Sequence, residues 1–412
     1  MHEPDRRGDG DAPERRDWAK LPRDLAAEIS GCLLGIDLSE YIRFRAVCKQ
    51  WRRSTDDPRL LNSRFFPRNW VMLTNYRKDD DTRRHLLNVA TGASIVADFP
   101  EFSGRHPLGH AEGLLVLSNT ETSGIRLFNP LTHAMTDLPD VSSSTSISAL
   151  KAETGFGTGL SYRGFGVIDG GGAASPPTVV VFISGKVPLL AFIRPGESHW
   201  ALADTSALTC EAHQVSVLSL RGRFYLSTST GDVLTVELHP VPRLVHVVRN
   251  RKTAPPATTT TVPPTICSFY LAPSGNDDGA GMLMIMAHTS GENEFDEHVE
   301  QVEVFEVDVD GRRLIPKSTV GADRALIIGS VRALSISTKL FPSIAASANA
   351  VYFCHGQGYR GELFRVFHID NGRTEPSVEL DFFEQMQGRE HFCGPLNLDI
   401  YLACCVDVLF FC

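Results

Sequence analysis

From Phe65 onward the chain consists of short runs rich in Val, Ile, Leu and Phe, each bounded by Gly, Pro, Asn or Asp. The clearest paired runs occupy residues 69–92, 113–132, 179–200, 215–236, 282–311 and 350–372. Asp310-Gly311 and Asn371-Gly372 follow such runs, and dipeptides of this kind favour tight hairpins. Strand units that recur at intervals of about 40–50 residues predict a β-propeller, in which each blade buries its faces against its neighbours. The predicted fold is mainly β, with six or seven blades, and a stack of β-sandwiches is the alternative.

Length and charge limit the classes of protein that this chain can belong to. With 412 residues it has room for two to three domains of roughly 100–200 residues, or for one small module and one large one. A hydrophobic fraction of 42% excludes wholesale disorder. The net charge of −9 disfavours broad nucleic-acid binding, which depends on an excess of Lys and Arg. We therefore expect no nucleic-acid partner.

The two ends of the chain give no sign of a membrane or secretory address. Residues 1–16 are polar and charged, so we predict a disordered leader without a signal peptide. No apolar run approaches the roughly 20 residues of a membrane helix. The nearest, residues 400–412, contains Asp407 and is predicted to be a closing strand. Nine cysteines without a C-x-x-C pair indicate a reduced protein of the cytoplasm or nucleus.

The segment before the strands is predicted to be helical. Leu21, Leu25, Ile29 and Leu33 recur every four residues, which gives one apolar stripe on a helix that begins near Pro22. This helix is expected to end by Gly35.

A second helix is predicted across Leu38 to Ser54. Tyr41, Phe44, Cys48 and Trp51 follow helical spacing there, and Asp57-Pro58 marks the end of the helical segment. Two or three short helices cannot bury this apolar surface by themselves. Another domain or another protein must therefore cover part of it.

Two motifs in these helices resemble an F-box. The first is Trp18-x-x-Leu21-Pro22-x-Asp24-Leu25-x-x-Glu28-Ile29, and the second is Arg43-Phe44-Arg45-Ala46-Val47-Cys48-Lys49-x-Trp51-Arg52. The resemblance implies docking onto the Skp-type adaptor of a cullin–RING ubiquitin ligase. The positions that would carry the docking are Leu21, Pro22, Leu25, Ile29, Leu33, Val47, Cys48 and Trp51. Two alternatives are a helical cap on the chain's own second domain and an Arg-rich helix for nucleic acid or calmodulin, which the acidic chain disfavours.

The strand region resembles a plant F-box family whose C-terminal half is a KIB-type propeller, the "domain of unknown function 295". The residues that carry the resemblance lie at 87–92, 127–132, 222–225, 304–307, 323–329 and 349–353. Together the two resemblances imply an F-box module at 17–58 and a substrate-recognition propeller at 65–412. The function that they imply is that of a substrate-recognition subunit of an SCF-type E3 ubiquitin ligase, with a target protein bound to the propeller.

No residue pattern points to catalysis. The glycine-rich run 155–159 has the wrong spacing for a dinucleotide loop, and the acidic run 292–300 lacks the spacing of a calcium loop. No Gly-x-Ser-x-Gly elbow is present, and a catalytic Cys would need a neighbouring His that a sequence cannot show. We therefore expect a non-catalytic subunit without cofactor or metal. Alternatives are an F-box scaffold that acts without degradation and a glycan-binding or enzymatic propeller with a helical cap.

Overall fold

The chain divides into two compact units, residues 1–60 and 61–412. The computed structural model describes residues 18–73, 82–103, 105–119, 124–144, 147–148, 161–170, 175–185, 187–208, 215–250, 266–275, 281–290, 298–329, 332–341, 348–354 and 365–375. Within these ranges, no helix combines the length and the apolar character needed to cross a bilayer.

The first unit is helical. It contains a 3-10 turn and three helices: Trp18–Lys20, α1 Arg23–Ile36, α2 Leu38–Val47 and α3 Lys49–Arg53. Asp37 separates α1 from α2, and its carboxylate accepts a hydrogen bond from the Ser39 backbone N–H at 2.8 Å, which caps α2.

The prediction of one helix across Leu38 to Ser54 is wrong, because the chain breaks at Cys48. The backbone of Cys48 is extended (φ −153°, ψ 162°), and its sulfur accepts a hydrogen bond from the backbone N–H of Trp51 at 3.4 Å. Cys48 is thus the N-cap of a separate short helix.

The described part of the second unit forms six β-sheets. The first sheet contains β1 Trp70–Leu73, β2 Arg83–Asn88 and β3 Ser94–Asp98. The second contains β4 Arg105–Ala111, β5 Leu114–Asn119, β6 Ile125–Asn129 and β7 Ala134–Leu138. The third contains β8 Ser161–Ile168, β9 Thr178–Ser184, β10 Leu189–Ile193 and β11 Ala201–Ala203.

The other three sheets follow in chain order. The fourth contains β12 Ser216–Leu220, β13 Arg223–Ser227, β14 Val233–Glu237 and β15 Arg243–Val248. The fifth contains β16 Ile266–Pro273, β17 Met282–Ser290, β18 His298–Asp308 and β19 Arg313–Lys317. The sixth contains β20 Arg324–Gly329, β21 Ala333–Ser337, β22 Ala350–Cys354, β23 Arg365–His368 and β24 Arg373–Glu375.

The sheets are arranged as the blades of a propeller. In the first five sheets the strands follow chain order and pair antiparallel, and β4, β8, β12, β16 and β21 lie side by side in that order. A separate hydrophobic cluster lies between each pair of consecutive sheets, as illustrated by the edge-to-face rings of Phe99 and Phe128 between the first and second. The predicted mainly-β propeller is therefore confirmed, with six blades.

The sixth sheet departs from the simple order. Its strands run β21-β20-β22-β23-β24, with β20 antiparallel to β21 and parallel to β22. The chain after β21 lies next to the first blade, since a Cβ on Gly92 would be 4.0 Å from the backbone oxygen of Leu340.

Two glycines on β8 allow the third and fourth blades to approach closely. A Cβ on Gly164 would lie 2.1 Å from Cγ2 of Val217, and a Cβ on Gly166 would lie 2.2 Å from a ring carbon of Phe224. Both distances are far below van der Waals contact, so any larger residue would force the blades apart.

A buried carboxylate joins turns from non-adjacent blades. Glu112, in the turn after β4, has a side chain only 1% exposed; it accepts hydrogen bonds from Arg68 Nε at 2.6 Å and from the Gly222 backbone N–H at 2.5 Å. Gly222 lies in the turn after β12, and its carbonyl accepts from the Asp169 N–H at the end of β8 at 3.0 Å. We call Arg68, Glu112 and Gly222 the cross-blade latch, because they tie the first, second and fourth blades together.

Several predicted features lie outside the described residues. They are the leader 1–16, the glycine-rich run 155–159, most of the acidic run 292–300 and the closing strand 400–412.

Candidate functional site

An exposed apolar stripe runs along α1. Leu25 is 47% exposed, Ile29 is 39% exposed and Ile36 is 62% exposed. Their spacing of four and seven residues puts them on one side of the helix, and we call these three residues the α1 stripe. Val47, the last residue of α2, is 64% exposed. The helical unit thus presents large aliphatic side chains to solvent, which is the character of a protein-docking surface.

The face of α1 next to the α1 stripe supports the packing of the unit. Ala26 is buried, and α1 packs on α2, which contributes the buried side chains of Leu38, Tyr41 and Phe44. The Phe44 ring stacks on Trp51 of α3, with ring centroids 4.3 Å apart. The Tyr41 hydroxyl donates to the Asp56 carbonyl at 2.9 Å, which ties α2 to the segment after α3.

Polar contacts fix the short α3 in place. The Arg45 guanidinium donates to the carbonyls of Thr55 and Asp56, both at 2.6 Å. The Trp51 indole N–H donates to the Trp18 carbonyl at 3.1 Å, and the Gln50 amide donates to the Leu21 carbonyl at 3.2 Å. These bonds anchor the chain before α1 to α3, so the polar groups of α3 serve the unit's own structure.

The eight predicted docking residues therefore fall into different environments. Leu25, Ile29 and Val47 are exposed, as is Pro22, whose carbonyl accepts the first helical hydrogen bond of α1. Leu21 and Leu33 are half-buried.

Cys48 and Trp51 are also half-buried, and both make contacts inside the unit. Trp51 stacks on Phe44, whereas Cys48 caps α3. Their side chains are therefore committed to packing within the unit at least as much as to any docking surface.

Sequence reasoning missed two exposed apolar residues next to this surface. Ile36 extends the α1 stripe by seven residues from Ile29, but the helix was expected to end by Gly35. Trp18 is 60% exposed, although its carbonyl is engaged by Trp51. The i, i+4, i+11 spacing could have identified Ile36 if the helix end had been placed one residue later.

Some charged side chains of the helical unit form ion pairs with near neighbours in the chain. Arg43 and Glu40 form an ion pair on the exposed side of α2. After α3, Arg59 donates to Asp57 Oδ2 at 2.6 Å, and this hydrogen bond lowers the pKa of the Asp57 carboxyl to about 2.

Comparison with known proteins identifies the second unit. The sequence model of the family described as KIB1-4 beta-propeller matches residues 86–373, which is more than half of the chain. The chain belongs to the KIB1-4 beta-propeller family. The matched region begins within β2 and ends at the start of β24. Both β1 and the helical unit lie before it.

Two solved structures show a weak similarity to the chain. A protein of unknown function from Bacteroides caccae has 8% identity and a TM-score of 0.31, covering 76% of this chain and 93% of its own. The dihydro-heme d1 dehydrogenase NirN in complex with DHE has 15% identity and a TM-score of 0.31, covering 79% of this chain and 55% of its own. At these values neither similarity bears on function. No curated protein matches the chain significantly.

One arrangement in the KIB1-4 propeller has the geometry of a thiol nucleophile with a base. Cys267 on β16 has its sulfur 3.3 Å from Nδ1 of His288 on β17, and His288 Nε2 lies 3.2 Å from Oε1 of Glu303 on β18. A nucleophilic thiol needs a lowered pKa, but burial and the nearby Glu303 charge raise the pKa of Cys267. The raised pKa favours the protonated thiol, which is the opposite of the shift that activates a nucleophilic cysteine.

A metal centre finds no support in the described part of the propeller. No group of three or more His, Cys, Asp or Glu side chains in that part of the chain could hold an ion. In the triplet above, His288 also uses opposite ring nitrogens for its two neighbours, so a single ion could not be bound by all three residues.

Proposed function

We propose that this protein is the substrate-recognition subunit of an SCF-type cullin–RING E3 ubiquitin ligase of the cytoplasm or nucleus. In this proposal the helical unit docks on a Skp-type adaptor, and the KIB1-4 propeller binds a target protein for ubiquitination. The observation that carries it is the exposure of Leu25, Ile29 and Val47, three positions at which the F-box resemblance implies adaptor docking.

The energetics of these side chains favour a partner. Full burial of a Leu, Ile or Val side chain is worth about 1.5–3 kcal/mol, so covering the exposed 47% of Leu25 and 39% of Ile29 stabilises a complex by about 1 kcal/mol each. The unit has its own buried residues in Leu38, Tyr41 and Phe44, so the exposed residues are free to contribute to binding. An interface would gain its apolar centre from them.

The propeller supports the other half of the proposal. Its blades are held by hydrophobic clusters between sheets, which leaves the connecting loops able to vary without loss of the fold. The chain itself contributes recognition rather than chemistry in this proposal. The protonated Cys267 thiol is consistent with that role, and ubiquitin transfer would belong to the RING and conjugating subunits.

The test is binding of the full chain to a purified Skp-type adaptor, measured by isothermal titration calorimetry. Leu25→Asp combined with Ile29→Asp is expected to weaken binding by more than about a hundredfold, because apolar contact is lost and two charges are buried. Met135→Asp is the matched control, since Met135 is an exposed apolar residue of the propeller (44%). It should leave the affinity unchanged.

Thermal melting of each variant separates loss of binding from loss of fold. Because more than half of each of the Leu25 and Ile29 side chains is covered, the double variant should melt somewhat below the wild type, and binding is compared at a temperature at which both proteins are folded. Wild-type protein that does not bind the adaptor, or a folded double variant that binds equally well, would refute the docking assignment.

A further inference from the structure

An arginine-lined groove lies at the outer edge of the propeller. It has a volume of about 1010 Å³ and lies between β15, the outermost strand of the fourth blade, and the turn that joins β18 to β19 in the fifth. Arg243, Arg249, Arg312 and Arg313 line it, together with the apolar side chains of β15 and one acidic residue, Asp204. Since the whole chain has a net charge of −9, this cluster of cations is a local feature.

Two of these arginines are available for a ligand. Arg243 lies 3.5 Å from Glu237, and Arg313 Nε lies 3.0 Å from Asp308 Oδ2, so both have an acidic neighbour. Arg249 and Arg312 are exposed and form no ion pair with any residue that the structure describes. A guanidinium in this state is suited to bidentate binding of a carboxylate.

The backbone of β15 also has an open edge. Asp204 pairs with the start of this strand, because its N–H donates to the Pro242 carbonyl and its carbonyl accepts from the Leu244 N–H, both at 2.9 Å. The chain then turns away, with the Ser206 N–H bonded to the Asp204 carboxylate.

Backbone groups alternate in direction along a strand, so the Leu244 carbonyl and both backbone groups of His246 point outward like the Leu244 N–H, up to the register shift with β14 that follows His246. They have no backbone partner among the described residues. An added strand could therefore continue the pairing that Asp204 begins.

Both walls of the groove are held in place before any ligand arrives. On one side the Asp308 carboxylate accepts from the Gly311 N–H at 2.8 Å and from Arg313, which fixes the turn that carries Arg312. On the other side the Asp232 carboxylate accepts from the Asn250 N–H at 2.8 Å, next to Arg249. Preorganised walls reduce the entropy that binding loses.

We propose that this groove binds an extended, acidic peptide segment, which adds as a strand along β15 at Leu244 to His246 and places its carboxylates against Arg249 and Arg312. The inference rests on the proposed function for one point, that the segment belongs to a target protein. A peptide fits better than a nucleic acid because the open backbone groups pair with another backbone and because the acidic chain repels a polyanion.

The test uses a display library of random decapeptides, panned on the full-length protein. Peptides with Asp or Glu alternating with β-branched residues are expected to be enriched. Arg249→Glu combined with Arg312→Glu should weaken the best of them by about tenfold or more, and binding to the wild type should weaken with added salt. Arg223→Glu, at an exposed position on β13 outside the groove, is the matched control and should not change the affinity.

Strand addition makes a second demand on the same peptides. N-methylation should abolish binding at every second peptide bond and be tolerated at the others, because only alternate N–H groups face β15. No enrichment, enrichment without acidic residues, or equal binding to the double variant would overturn the proposal. Tighter binding of a 12-mer oligothymidine that displaces the peptides would overturn it in favour of nucleic acid.

Adaptor binding, measured on the same proteins, keeps this inference distinct from the proposed function. If the wild-type protein binds the adaptor but none of the peptides, the groove proposal alone is refuted. If the wild-type protein binds peptides but not the adaptor, the ligase role alone is refuted.

Discussion

Removal of the Glu112 carboxylate tests whether the cross-blade latch holds the propeller together. Glu112→Ala leaves the buried Gly222 N–H without an acceptor and Arg68 without its carboxylate. An orphaned buried donor costs about 1–3 kcal/mol, and breaking a buried ion pair costs about 3–5 kcal/mol. Since the Arg68 side chain is 33% exposed and can be rehydrated, we expect a loss of about 3 kcal/mol in the free energy of unfolding.

The backbone of Glu112 gives the prediction a second, independent part. Its φ of +49° lies in the left-handed region, which costs a residue with a Cβ about 1 kcal/mol more than glycine. Glu112→Gly loses the same carboxylate but relieves this strain, so it should be less damaging than Glu112→Ala by about 1 kcal/mol. Glu112→Gln keeps an oxygen for the Gly222 N–H and should be the mildest of the three.

Urea denaturation followed by tryptophan fluorescence measures these differences. Asp137→Ala is the control, because it removes the carboxylate of an exposed ion pair with Arg126 (Asp137 is 72% exposed) and should cost less than about 1 kcal/mol. If Glu112→Ala costs no more than Asp137→Ala, the latch does not stabilise the fold. If Glu112→Gly is more damaging than Glu112→Ala, the strain argument is wrong.

Three further predictions concern other parts of the chain. Gly31→Ala, in α1 with open space around it, should raise the melting temperature by an amount that reflects about 0.5–1 kcal/mol, whereas Gly166→Ala should lower it strongly or prevent folding. Burial, with a smaller effect of Arg332, holds the pKa of His110 well below 6.5. The free energy of unfolding, measured by urea denaturation, should therefore decrease as the pH drops below about 6.5, and this group contributes at most about 1.4 kcal/mol per pH unit. His110→Gln should flatten that dependence. At pH 7.5 Cys267 should react with iodoacetamide more slowly than the exposed Cys32, as peptide mass spectrometry would show; equal rates would contradict the raised pKa of Cys267.

The sequence predicted the blades well because each blade is encoded locally. Every one of the six paired runs corresponds to strands of one sheet. Gly372 has the positive φ typical of an Asn-Gly turn, whereas after Asp310 it is Arg312 and not Gly311 that adopts a positive φ (52°). The blade count was open because strand runs alone do not show where one sheet ends and the next begins. The parallel pairing of β20 with β22 was not foreseeable either, since it depends on pairing across an intervening strand.

Features that depend on contacts between residues far apart in the chain could not be predicted from the sequence. The latch joins Glu112 to Gly222 across 110 positions, and no periodicity marks either residue. The groove likewise combines β15 with a turn of the next blade, so its arginines are scattered in the sequence. The error at Cys48 has a local cause. Phe44, Cys48 and Trp51 are spaced in the sequence as in one continuous helix, and Phe44 and Trp51 do stack on each other, but the backbone of Cys48 between them is extended.

The division of roles within the helical unit decides which mutations can test docking. Trp51 and Cys48 belong to the second F-box-like motif, yet one stacks on Phe44 and bonds Trp18, and the other caps α3. A Trp51→Ala variant would lose these contacts, so its failure to bind an adaptor would not separate docking from folding. Leu25 and Ile29 contribute less to the packing, because they lie beside the buried face of α1 and remain 47% and 39% exposed. Charges placed at Leu25 and Ile29 therefore change what the surface can bind at a smaller cost to the packing of the unit than Trp51→Ala would have.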